Sequence, residues 1–277
     1  MNAVEQFWTD HTVRDKPFTS VQESLDYLDW RGRQYPLAHE MMELWGDHEG
    51  QTILDYGCGP ANDMVGFLAY GNAARVIGAD CSATALDLAW RRLDLHQFTN
   101  YALVKVSDTD PVIPLETASI DHIYCEGVLH HTSHPDAILA EFRRLIRPSG
   151  TCCVMVYNYE SIWLHWYVAH ELNGGDLLER FRRSTDGPDC PVSHPYRPAE
   201  FRRMCERAGF NVNYRGGYLN SVELGLWEEG IRGVLSDLSL GLDHRAFIAG
   251  LTPDSDGYPY RDGLPAGLGG VYWLIPR

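Results

Sequence analysis

The residues most able to do chemistry in this 277-residue chain begin with the run Ile53-Leu54-Asp55-Tyr56-Gly57-Cys58-Gly59-Pro60. An apolar stretch ends there in an acid and turns through two glycines one residue apart. Backbone without Cβ atoms at such a turn lets a ligand come close. About twenty residues on, Asp80 closes a second apolar run, where a carboxylate can accept both hydroxyls of an adenosine ribose. The competing reading of Asp80 is a cap for the helix that follows, a task Ser82 could perform equally well. A nicotinamide dinucleotide site asks for glycine at the third position of G-x-G-x-x-G, but Asn62 stands there, and no G-K-[ST] exists for a P-loop.

These residues need strands and helices in a fixed order to hold them. Thr52 to Asp55, Arg75 to Asp80, Tyr101 to Val106, Asp121 to Cys125 and Thr151 to Tyr157 read as five strands. Helices alternate with them. Leu86, Ala89, Trp90 and Leu93 share one face; Ile138, Phe142, Leu145 and Ile146 form another behind Pro135, and Pro148-Ser149-Gly150 stops that helix. Phe201, Met204, Cys205 and Ala208 mark a further helix ending at Gly209. Phe210 to Tyr218 and Gly270 to Ile275 supply a sixth and a seventh strand, separated by a Gly-, Pro- and Asp-rich loop from Leu251 to Gly270. Residues up to about Asp47 look helical, with Ser20-Val21-Gln22-Glu23 at capping-box spacing. The alternation predicts an α/β fold of three layers with a mostly parallel sheet, its ligand at the carboxyl ends of the strands near the switch point.

Composition narrows the partners. A formal charge of −15 repels a polyanion, and the short arginine clusters at 143–144, 180–183 and 202–203 make no basic stripe, so nucleic acid is not expected. No window approaches the roughly 18 uninterrupted apolar residues of a membrane span, and the start lacks the layout of a secretory signal, so a cytoplasmic protein is expected. The seven cysteines show no C-x-x-C pair, which suits free thiols and leaves no expected metal site.

The run Leu54 to Pro60, then Gly78-Ala79-Asp80, Ser119-Ile120-Asp121 and Gly127-Val128-Leu129-His130-His131, resembles the class I, Rossmann-like S-adenosylmethionine-dependent methyltransferases, small-molecule branch. The likeness covers about Gln51 to Tyr157 and implies a seven-stranded sheet with S-adenosyl-L-methionine bound and S-adenosyl-L-homocysteine released. It departs at Ala61, where the family commonly has glycine. By the resemblance, Asp55, Gly57, Cys58, Gly59 and Asn62 line the methionine and ribose portions. Asp80, with Cys81 and Ser82, holds the ribose and borders the adenine. Ser107, Asp108 and Thr109 meet the adenine edge, Asp108 having the alternative of capping its loop. Cys125 and Glu126 approach the methionine amino group. Tyr27, Arg31 and Tyr35 close the site from the N-terminal helix, whereas Trp30 packs that helix on the sheet. A phenol or aromatic face suits a sulfonium cation.

Methyl transfer needs an aligned nucleophile, and a base only where the acceptor must lose a proton. His131 and His130 are the candidate bases, with Tyr27 beside the methyl; a satisfied structural histidine is the alternative. Tyr157, Asn158, Tyr159, His165 and His170 follow the fifth strand and either face the acceptor or form the core of a cap. The [DN]-P-P-[YF] motif and the Pro-Cys pair are absent. The chain thus divides into a helical lid (1–50), a cofactor core (51–157), a substrate-side insertion (158–196) and a completion of the core (197–277). The expected partner is a small molecule, with no membrane and with a homodimer left open. The alternative chemistry on this fold is transfer or cyclisation of the aminocarboxypropyl arm, releasing methylthioadenosine; a binding module without turnover is the third reading.

Overall fold

The computed structural model describes residues 2–172 and 174–277; Met1, the first residue of the expected lid, lies outside the described residues. The chain opens with α1 (Ala3–Asp10), α2 (Val21–Gln34) and α3 (Ala38–Met42). There follow β1 (Thr52–Tyr56), α4 (Asn62–Ala69), β2 (Arg75–Asp80), α5 (Ala83–Leu95), β3 (Tyr101–Lys105), β4 (Ile120–Glu126), a 3-10 turn at Leu129–His131, α6 (Pro135–Leu145) and β5 (Ile146–Tyr157). Beyond β5 come a π-helix (Trp163–Glu171), α7 (Leu177–Thr185), α8 (Pro198–Arg207), β6 (Phe210–Tyr218), α9 (Ser221–Glu229), α10 (Arg232–Ser236) and α11 (Leu242–Ala249). Three short strands, β7 (Thr252–Pro253), β8 (Pro259–Arg261) and β9 (Leu264–Pro265), precede β10 (Gly269–Pro276).

The main sheet runs β3-β2-β1-β4-β5-β10-β6, seven strands, with β10 antiparallel to both its neighbours. Strand order reverses at β1, which pairs with β2 on one side and β4 on the other, so a crevice opens past the ends of β1 and β4. The apolar runs are continuous because both faces are covered. Leu54, Ile123 and Cys125 pack under Phe142 of α6 and Phe201 of α8. Their neighbours Ile53, Val76 and Tyr124 point the other way, under Met64 and Phe67 of α4 and Leu93 of α5.

Several elements differ from the sequence expectations. Pro148-Ser149-Gly150 does not stop a helix: β5 begins at Ile146 and carries them as its irregular first part. Trp90 of α5 is half exposed, because the buried face is turned toward Arg92, whose guanidinium reaches Ser24, Asn62 and the Pro60 carbonyl. Ser20 caps α2 as its spacing predicts, but Glu23 turns to Thr19 and Arg14 instead of closing a box. The Leu251–Gly270 loop holds the small sheet β7-β8-β9, and the segment before it folds as α9, α10 and α11 against the π-helix.

Candidate functional site

The acid-and-glycine turn lands where the switch point requires it. Gly57 and Gly59 have φ of +81° and +50°, which glycine adopts without strain. Their reasons differ. A Cβ on Gly57 would stand 2.1 Å from Val128 Cγ2, so protein packing demands glycine there, whereas a Cβ on Gly59 would meet nothing within 4 Å. Gly59 therefore leaves open space in the wall of a cavity. Ala61, at the departure from the family pattern, takes φ +60° and is buried, so the helix start bends through a left-handed residue without needing glycine.

That cavity, of about 150 Å³, is walled by Gly57, Gly59, Asp80, Cys81, Ser82, Ser107, Asp108 and Val128, and roofed by Val4, Trp8 and Thr12 from the N-terminal segment. Asp80 Oδ2 accepts the Gly59 amide hydrogen at 2.9 Å, and Oδ1 accepts that of Ser82 at 2.7 Å. Helix capping falls to Ser82, whose hydroxyl accepts from the Ala85 amide, so Asp80 is not the cap. Burial raises the Asp80 pKa, and those amide hydrogen bonds oppose the rise.

A second cavity, of about 680 Å³, shares Trp8, Val13, Glu126, Gly127 and His131 with the first. Tyr27, Trp30, Arg31, Tyr35, Tyr157, Trp163, Asp186 and Tyr218 line it, together with Asn220 and Ser221. Where the cavities meet, Arg31 bridges Asp63 at 3.1 Å and Glu126 at 3.2 Å. Glu126 also accepts the hydroxyls of Tyr124 at 2.9 Å and Tyr218 at 2.7 Å. Burial works against the Arg31 charge, but Asp63 and Glu126 outweigh it and hold its pKa well above the usual value. Asp55 lies beneath, buried, with Oδ2 lacking a hydrogen-bond partner; burial, then the nearby charges of Asp63 and Glu126, drive its pKa well up. At 3% exposure, Asp55 lines neither cavity, so the structure does not bring this candidate to a ligand.

The structure distributes the sequence candidates unevenly. Gly57, Gly59, Asp80, Cys81, Ser82, Ser107, Asp108 and Glu126 reach the first cavity; Tyr27, Arg31, Tyr35, His131 and Tyr157 reach the second. Asp55, Asn62, Cys58, Cys125 and Thr109 line neither: Asp55, Cys58 and Cys125 are buried, Asn62 is pinned by Arg92 at 2.6 Å, and the Thr109 hydroxyl pairs with Ser107. Asp108 is largely spent on protein partners, accepting from Ser133 twice and from Asn2. Trp30 is half exposed at the cavity mouth and stacks on Tyr27, contrary to the expected packing on the sheet. Of the five acceptor-side candidates, only Tyr157 lines the cavity. Asn158 ties down Glu160 and Gly267 carbonyls, Tyr159 lies under Arg197, His165 stacks on Phe247, and His170 faces Glu171 and Asp237. These four face away because the insertion builds a core of its own.

The two histidines part company. His130 is buried between His131 and Tyr157, accepts the Tyr157 amide hydrogen at Nδ1, and is held neutral by burial. His131 lies at the junction of the cavities, its ring 4.8 Å from that of Trp8. His131, Asp186 and Cys190 are of metal-binding types and lie close together, but each is already hydrogen-bonded within the protein, and burial pushes the Cys190 thiol up to about 11. Among the residues sequence reasoning missed are Val4, Trp8 and Asp186. Asn2 at the N-cap of α1 was the one legible signal for the first two; Asp186 carried none.

Fold and site together define a methyltransferase domain, and comparison with known proteins agrees: residues 54–154 match the methyltransferase domain family. Over that segment, which runs from β1 into β5, the chain is similar to the S-adenosylmethionine-dependent methyltransferases that the sequence resembles. It is 28% identical over 180 residues to the ubiquinone biosynthesis O-methyltransferase of Neisseria meningitidis serogroup C, covering 64% of this chain and 71% of that one. Over 156 residues it is 32% identical to an uncharacterized 37.1 kDa protein in transposon TN4556 of Streptomyces fradiae, spanning 53% of this chain but only 43% of that relative. The fold is shared with an S-adenosylmethionine-dependent methyltransferase from Mesorhizobium loti at a TM-score of 0.56 and 13% identity, over 87% of this chain and 97% of that one.

Proposed function

We propose that the protein transfers a methyl group from S-adenosylmethionine to a small organic acceptor. The observation that carries this is the pair of joined cavities. A narrow one bordered by Gly59 and Asp80 suits an adenosyl group, and a wider aromatic one meets it at His131 and Glu126. In the narrow cavity Asp80 would take the ribose and Gly59 would give the close approach, while Glu126, where the two cavities meet, would face the amino group. The bound cofactor supplies an already activated methyl on a sulfonium. Residues of the chain then have to orient the acceptor, exclude water and receive any proton released.

The acceptor side favours a metabolite over a macromolecule. The cavity is concave and rich in aromatic rings, and a net charge of −15 disfavours a nucleic acid. Seven free cysteines fit a reducing, cytoplasmic setting. Among the described residues, no helix is long and apolar enough to cross a membrane. Incubation with methyl-labelled cofactor and a metabolite library tests the reading. Labelled product with S-adenosylhomocysteine supports it; methylthioadenosine as the by-product would refute it.

A further inference from the structure

Asp186 stands just past α7, outside every motif that identifies the family. Its carboxylate is built into place. Tyr157 donates its hydroxyl to Oδ1 at 2.9 Å, while Thr185 and Ser193 donate theirs to Oδ2 at 2.7 and 2.6 Å. With its side chain only 5% exposed, Oδ1 lies 3.4 Å from His131 Nε2. On the far side of the ring, Nδ1 is 2.8 Å from the Val192 carbonyl oxygen. A carbonyl only accepts, so Nδ1 carries the hydrogen and the neutral ring keeps its lone pair at Nε2. A lone pair beside a carboxylate is a poor resting partner and becomes a good one once Nε2 gains a proton.

The other groups facing this ring do not supply that charge. His130, 4.1 Å away between ring centroids, is kept neutral by burial, and the Cys190 thiol is pushed up to about 11. Tyr157 meets it edge-on at 5.4 Å, and Glu126 across the cavity is engaged by Arg31 and two tyrosines. Burial lowers the His131 pKa, and Asp186 acts against that fall.

Resting on the methyl-transfer reading above, we infer that Asp186 is the positioning residue that makes His131 a general base, and that the acceptor is therefore a hydroxyl. A neutral amine attacks with its own lone pair and needs no base beforehand, whereas a hydroxyl is a weak nucleophile until its proton leaves. As the new O–C bond forms and the S–C bond breaks, leaving a neutral thioether, the hydroxyl proton passes to Nε2. The imidazolium so formed is stabilised by Asp186 until it returns the proton to water.

The test is a pH titration of His131 by NMR in the S-adenosylhomocysteine complex, with calorimetry of that complex as its control. The unmodified protein should show the Nδ1–H tautomer at high pH. Asp186→Asn should lower the His131 pKa by about one unit with the affinity for S-adenosylhomocysteine unchanged. An Nε2–H tautomer in the unmodified protein, or a His131 pKa unmoved in the variant, overturns the inference; the first needs no variant to fold. Wild-type protein that binds no S-adenosylhomocysteine defeats the methyl-transfer reading instead, so the two failures are distinct. Offered catechol and 1,2-phenylenediamine at equal concentration, the enzyme should methylate the catechol; product from the diamine alone is the contrary result.

Discussion

Asp80 accepts the amide hydrogen of Gly59 at 2.9 Å, so the acid that ends β2 holds in place the bare turn that ends β1. One side chain thus shapes the glycine turn and presents charge to the cavity. Replacing it with alanine removes both. Asp80→Ala should weaken S-adenosylhomocysteine binding by about 10- to 100-fold, the scale of losing charge-assisted hydrogen bonds. Isothermal titration measures it, and unchanged affinity would sink the assignment of this cavity.

The two glycines of the turn should fail differently. Gly57→Ala drives a methyl into Val128 at a positive φ, and should cost roughly 2–4 kcal/mol of stability by overpacking and backbone strain together. Gly59→Ala enters open space and should cost only about 1 kcal/mol, while cofactor affinity falls sharply. Denaturant melts and titrations on the pair would separate packing from binding. Equal loss of stability in both would count against the distinction.

Arg31 is the cation that Asp63 and Glu126 share, above a buried Asp55. Arg31→Met leaves three acids facing one another and should cost about 3–5 kcal/mol at neutral pH. The sign with pH follows from the acids. Burial already pushes Asp63 up to about 6, above its unfolded value, so its contribution is present at low pH and lost as pH rises through that region. Without Arg31 the loss should deepen, and the variant should regain stability as pH falls from 7 toward 5. Thermal melts over that range that stayed flat would contradict this.

Glu223 is fully buried and accepts amide hydrogens from Trp163, Asn220 and Leu268, tying the π-helix to α9 and to the strand that follows. Burial raises its pKa to about 7, against those three hydrogen bonds. A raised folded-state pKa means stability present below the unfolded value and lost as pH climbs to about 7. Wild-type stability should therefore decline across that interval. Glu223→Gln keeps one oxygen for the Asn220 and Leu268 amides but turns its NH2 toward the Trp163 amide, so it should be less stable yet lose that slope. A variant retaining the wild-type slope would place the titration elsewhere.

How much of this was legible beforehand depended on range. The strands from Thr52 and Arg75 were readable because both faces of each are covered, which writes a continuous apolar run. Asp80 was readable because the fold fixes where an acid after β2 must sit. Asp186 was not: its partners Tyr157, Ser193 and His131 come from three separate segments, and no local spacing encodes such a meeting. Arg92 misled for a related reason, since an arginine on the buried face of α5 breaks the apolar stripe while satisfying Ser24 and Asn62. His165 and His170 looked like site residues by composition alone, but the cap buries the first against Phe247 and pairs the second with Glu171 and Asp237 near the surface.

The roof formed by α1 has a kinetic consequence. Glu5 receives the Ser107 hydroxyl and the Asp108 amide, Asn2 reaches Asp108, and Trp8 spans the walls of both cavities. An adenosyl group in the narrow cavity would have this clasp of eight helical residues as one of its walls. Loosening it with Glu5→Gln should therefore speed the dissociation of S-adenosylhomocysteine, which stopped-flow displacement measures; an unchanged rate would leave α1 a passive wall.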